Sequence, residues 1–132
     1  MTKSGAGTFK IKSWDEIPYH ETDGSPRLIR AEISQTYEGT LQGESSLQYL
    51  MVYGSESTAE FTGVERFSGS IDGESGSIVM MHNGKFENGT ASSSWHIVSG
   101  SGTGGLAGIE GSGSFSAEHG GTASYQFKYR LP

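Results

Sequence analysis

Arg27 to Glu38, RLIRAEISQTYE, decides the fold class. Ile29, Ala31, Ile33, Gln35 and Tyr37 fall on one face of an extended chain. Arg30, Glu32, Ser34, Thr36 and Glu38 fall on the other. Alternation with period two marks a half-buried β-strand, because successive side chains of a strand point to opposite sides. The same period runs outward in both directions. On the N-terminal side, Asp23-Gly24-Ser25-Pro26 predicts a turn. Before it, Phe9 and Ile11 alternate with Lys10 and Lys12 as a first strand, which Trp14 to His20 are expected to leave.

On the C-terminal side, Leu41 to Tyr53 reads as a strand, apolar on both faces from Leu47 onward. Phe61, Gly63, Glu65, Phe67, Gly69 and Ile71 share one face of the next strand, and Asp72-Gly73 turns it back. Ser77 to His82 returns, and Asn83-Gly84 carries a two-residue hairpin signal. Phe86 to Val98 follows with Trp95 and Ile97. Leu106 to Phe115 is expected to pair with Tyr125 to Arg130, where Tyr125, Phe127 and Tyr129 point inward. The sum is about eight strands on short turns, with almost no helical period. Glycines recur on the apolar face, where a closed sheet bends sharply. The expectation is all-β: one closed antiparallel barrel domain over residues 1–132.

Composition narrows the function classes. Nine basic and fifteen acidic residues give a net charge of −6. That sign opposes non-specific binding to nucleic acid and to anionic membrane, so neither is an expected partner. With no cysteine, thiol chemistry and Cys-ligated metal drop out. Met1 to Gly7 lack the basic start and apolar core of a signal peptide, and no apolar run nears the ~20 residues of a membrane span. A cytoplasmic location is the expectation, and Asn88-Gly89-Thr90 then reads as a chance sequon. There are 21 glycines and 21 serines among 132 residues. Interleaved Phe, Tyr, Trp, Ile and Val supply core material, so only Ser99 to Gly105 reads as a flexible loop, able to serve as a lid.

The second half carries a resemblance. Glu65-Arg66-Phe67-Ser68-Gly69 resembles an ERFSG strand, and Gly73 to His82 is similar to a G-x-x-G-S-F-V-L-Q-H strand. Ser99 to Gly111 resembles an S-G-T-G-x-L-A-G segment, and Tyr125 to Tyr129 fits a closing aromatic strand. These motifs resemble a bacterial domain-of-unknown-function family of the allene oxide cyclase-like β-barrel superfamily. The resemblance covers the chain from Tyr37 onward. It implies an eight-stranded barrel with a central cavity, often oligomeric, and no established activity. Met81 and Ile78 depart from the pattern, where Gln and Phe are common.

Several residues are candidates for chemistry. Gly100 to Gly105 contains G-x-G-x-x-G, but a dinucleotide loop needs a helix directly after it, and Leu106 to Gly113 is strand-like. Glu65 shares the inward face with Phe67. A carboxylate there must be paired, hydrogen-bonded or protonated, so it reads either as a ligand-binding or general-base group or as a structural one. His82 alternates with Ile78 and Met80 and is either a second inward polar group or a cap at the Asn83-Gly84 turn. Gln35, Tyr37, Tyr49, Trp95 and Tyr129 are candidates to line a cavity with them. They equally suit an ordinary barrel core. His20, His96 and His119 show no metal-ligand spacing, no cofactor is implied, and the serines suit turns and strand surfaces.

Three readings of function remain open at this stage. One is a barrel binding a small apolar or aromatic molecule, its polar end fixed by Glu65 and His82. Another is a cofactor-independent isomerase or cyclase with Glu65 as base. The third is a structural or interaction protein with a filled barrel. Homo-oligomerisation is expected, because only one face of Leu47–Tyr53 can fill the barrel. The other face should meet a second subunit or a covering segment such as Trp14 to Tyr19.

Overall fold

The structure is a computed structural model, and it describes residues 2–118 and 123–132. Eight antiparallel strands close into one barrel, each paired with its neighbours in chain order. They are β1 (Lys3–His20), β2 (Arg27–Gly39), β3 (Leu41–Ser55), β4 (Thr58–Ile71), β5 (Glu74–Glu87), β6 (Thr90–Ile97), β7 (Glu110–Glu118) and β8 (Ala123–Arg130). A three-residue 3-10 turn at Gly104–Leu106 is the helical element of the described residues. The inward positions read from period two hold: Ile29, Ile33, Tyr37, Phe61, Phe67, Ile71, Tyr125, Phe127 and Tyr129 are all buried. Aromatic rings tile the interior, with Phe9 and Tyr37 5.2 Å apart between centroids, Tyr37 and Tyr125 5.5 Å, and Trp95 and Phe127 5.5 Å.

Four local expectations are corrected. The first strand starts at Lys3 and runs on to His20, keeping Trp14 opposite Ile33 and Ile17 opposite Arg30. Its early inward positions, Gly5 and Gly7, leave room for the Phe127 and Tyr125 rings of β8 and so show no apolar alternation.

The hairpin between β5 and β6 lies at Asn88-Gly89, both with positive φ (54° and 77°), and β5 passes straight through Asn83-Gly84. Gly84 points inward, where a Cβ would stand 2.5 Å from Phe61. That Asn-Gly pair marks close packing, and His82 sits inside its strand and caps nothing.

The expected strand from Leu106 begins at Glu110. Leu106 and Ile109 are instead buried before it, after the 3-10 turn.

The Gly/Ser stretch covers a sheet edge. β6 stops at Ile97 opposite Met80, which would leave the rest of the β5 edge unpaired. The loop takes that edge. Val98 N donates to Val79 O at 2.8 Å, Thr103 N to Ser77 O at 2.9 Å, and Val79 N to Ser101 Oγ at 3.1 Å. Small residues suit this role because an open edge must be covered by backbone lying close against it.

Candidate functional site

Register brings the polar candidates together. β4 runs between β3 and β5 with Tyr49, Gly63 and His82 side by side across the three strands. Gly63 has no side chain, and a Cβ there would stand 2.4 Å from the Tyr49 ring. The Tyr49 and His82 rings therefore close over β4, with centroids 5.8 Å apart in an edge-on arrangement. Glu65 lies two residues further along the same inner face, beneath them.

Glu65 is fully buried and accepts three short hydrogen bonds. Tyr37 Oη donates to Oε2 at 2.6 Å, and Ser45 Oγ donates to the same oxygen at 2.6 Å. His82 Nε2 lies 2.7 Å from Oε1. The other ring nitrogen, Nδ1, lies 2.8 Å from Ser93 Oγ. Gln35 Oε1 is 3.4 Å from the Tyr37 hydroxyl at the edge of the group. Burial lifts the Tyr37 hydroxyl well above the usual tyrosine range, with the Glu65 charge adding to it. The same two causes raise Tyr49. Both phenols therefore stay protonated, and Tyr37 stays a donor to Glu65.

Ser93, His82 and Glu65 form a linear relay. With its proton on Nε2, the imidazole donates to the carboxylate and accepts the Ser93 hydroxyl at Nδ1. A nucleophilic serine needs a reacting atom within reach, and Ser93 is buried at 5% exposure, opposite Phe115 in the β6–β7 ladder. Among the described residues, every buried side-chain nitrogen and oxygen has a partner within the chain.

Six of the seven sequence candidates meet in this region. Glu65, His82, Tyr37 and Gln35 share hydrogen bonds. Tyr49 and Trp95 pack on the His82 ring. Tyr129 stands apart, stacked on Phe127 at 5.0 Å at the end where Lys3 meets Asp72. Ser45 and Ser93 complete the group, although serines in this chain read more simply as turn and strand-surface residues. Ser45 is readable from its place on the Leu41–Met51 inward alternation. Ser93 sits in the run Ser92-Ser93-Ser94, where period two is invisible. Among the described residues, no three His, Asp or Glu side chains gather as a metal site. His119 lies outside the described residues.

A protein family described as "Protein of unknown function (DUF3224)" matches residues 5–129. The chain belongs to the DUF3224 family. A crystal structure of a DUF3224 protein from Shewanella oneidensis MR-1, itself described as of unknown function, superposes on all of this chain and 99% of its own. The TM-score is 0.79 at 24% identity, so the two share the barrel fold. No curated protein matches the chain. The DUF3224 barrel thus provides a scaffold, and its chemistry must be argued from the side chains described above.

Proposed function

We propose that this chain is a filled barrel that works through its outer surface, an interaction module whose interior polar cluster is structural. The observation that carries the reading is the contrast between the two sides of the wall. Inside, the Glu65 carboxylate already accepts hydrogen bonds from Tyr37, Ser45 and His82, and aromatic rings occupy the space around it. A ligand reaching it would have to displace the side chains packed there. Outside, Leu50, Val52, Val64 and Met81 remain half exposed on β3, β4 and β5. Contiguous apolar surface of that kind marks an interaction site. An apolar interior under a mostly polar exterior is the reverse of a membrane-spanning barrel, whose apolar face looks out.

One observation favours a second reading, that the interior binds a small apolar molecule or isomerises it. A buried carboxylate–imidazole pair holds a barrel together no better than two well-packed apolar side chains would, so its presence invites a chemical role. Likeness to cyclising barrels adds fold analogy alone.

Native mass spectrometry of gently purified protein separates the two. The surface reading expects the bare chain or whole multiples of it. It also expects Leu50→Glu and Val64→Glu to leave the chain folded, as substitutions at exposed sites do. A co-purifying small molecule that disappears in Glu65→Gln would overturn it in favour of the interior.

A further inference from the structure

The geometry points to a second copy of this chain as the occupant of the outer face, docked about a two-fold axis that crosses β2, β3 and β4 at Ala31, Tyr49 and Gly63. This rests on the surface reading above and names its partner. The face is a shallow depression of about 780 Å³ bordered by Glu32, Gln48, Leu50, Val64, Arg66 and Met81. The chain's own segment best placed to cover it does not. Trp14 to Tyr19 continues β1 along β2, and Leu50 stays 51% exposed and Val64 49%.

The charges around the face complement themselves. Ala31, Tyr49 and Gly63 lie opposite one another in a single row across β2, β3 and β4. Arg30 and Glu32 stand one residue to either side of that row on β2. Glu60 and Arg66 stand three residues to either side of it on β4. An axis lying in the interface along the row turns each strand end for end. It carries Arg30 onto Glu32 of the second copy, and Glu60 onto Arg66 of the second copy. A two-fold running along β4 would instead set Glu60 on Glu60 and Arg66 on Arg66, which repel. Sheets packed face to face sit about 10 Å apart, a span that an Arg and a Glu reaching toward each other bridge. Among the described residues, neither Glu60 nor Arg66 has an ion-pair partner within its own chain. Arg30 and Glu32 already pair at 3.0 Å, so on docking they exchange or share partners.

The same axis gathers the apolar groups. Leu50 and Val64 each lie one residue from the row, on opposite sides of it. Two copies therefore place four apolar side chains around the axis, ringed by the charged pairs. An apolar centre with a polar rim is the usual anatomy of an isologous interface.

Light scattering coupled to size exclusion, with sedimentation equilibrium for affinity, tests this on the full chain. The wild type should weigh twice the chain mass. Glu60→Arg and Arg66→Glu should each weaken the dimer about tenfold, since each sets like charges together at two symmetric places. The double reversal should restore it. Leu50→Glu should give folded monomer, with its circular dichroism and melting temperature as the control for fold. A monomer at every concentration up to the solubility limit overturns the second copy and leaves the face to another partner. A dimer broken by Leu50→Glu but not rescued by the double reversal overturns the axis alone. A dimer indifferent to all of these variants forms elsewhere, and overturns both this inference and the surface reading beneath it.

Discussion

His82 Nε2 lies 2.7 Å from Glu65 Oε1 with both side chains about 1% exposed, so an acid and an imidazole hold each other at the centre of an aromatic barrel. Removing one partner leaves the other buried without compensation. Glu65→Ala strands the Tyr37, Ser45 and His82 donors together and should cost about 3–5 kcal/mol in urea unfolding. Glu65→Leu combined with His82→Leu should recover more than half of that loss, because two apolar groups need no partners. A double variant no more stable than the Ala single would show that the pair adds net stability.

Gly63 lies where the inner side of the barrel wall has no room for a side chain. A Cβ there would stand 2.2 Å from Gln48 O and 2.4 Å from the Tyr49 ring. The backbone oxygen cannot move without breaking the β3–β4 ladder. Gly63→Ala should therefore cost about 3 kcal/mol or more. Gly89, at φ 77° in the turn with nothing within 4 Å, meets only backbone strain, and Gly89→Ala should cost about 1–2 kcal/mol. Equal losses in thermal unfolding would contradict the contrast.

The Gly/Ser loop should behave as part of the sheet. Thr103 Oγ1 accepts a hydrogen bond from Ser77 N at 3.0 Å and lies 2.7 Å from Ser77 Oγ. Thr103→Val keeps the shape and removes both bonds, for about 1 kcal/mol. Amide exchange at Ser77 should then quicken. Fast exchange there already in the wild type would mean the loop moves freely.

The barrel was legible because period two is written along β2, β4 and β8, and because Glu65 and His82 sit on strands whose register the flanking Phe61, Phe67, Ile78 and Met80 fix. A one-residue slip would have exposed those side chains. What stayed hidden lay where glycine and serine replace the alternating apolar residues. Gly5 and Gly7 are inward without looking apolar, so β1 appeared to begin late. Two Asn-Gly pairs five residues apart offered the same turn chemistry, and only the ring of Phe61 against Gly84 decides between them. Ser93 is indistinguishable in sequence from Ser92 and Ser94, yet it alone of the three is buried. The Trp14–Tyr19 segment looked like an exit from the barrel because Pro18 and the charges of Asp15 and Glu16 break the pattern. Those same residues lie in the ladder to β2, where Asp15 pairs with Glu32 and Pro18 with Ile29.

Stability should fall steeply in alkali, and the cause is specific. Burial, reinforced by the charge of Glu65, holds the Tyr37 and Tyr49 hydroxyls well above their ordinary range in the folded state. In the unfolded chain they ionise near pH 10. Below that pH both states carry the proton, and the tyrosines make stability independent of pH. Above it the unfolded state sheds protons that the folded state keeps, so the unfolded state binds fewer and stability declines as pH rises. Each tyrosine contributes about 1.4 kcal/mol per pH unit, so the pair gives nearly 3 kcal/mol per unit from pH 10 upward until the folded state itself ionises. Urea unfolding at intervals between pH 8 and 11.5 reads this slope. Tyr49→Phe should lower it by about 1.4 kcal/mol per unit and leave the Tyr37–Glu65 bond intact. Tyr37→Phe should lower it by the same amount, but with a loss of about 1–3 kcal/mol already present at neutral pH, because Glu65 then lacks one of its three donors. A slope unchanged in both variants would place the alkaline transition on groups other than Tyr37 and Tyr49.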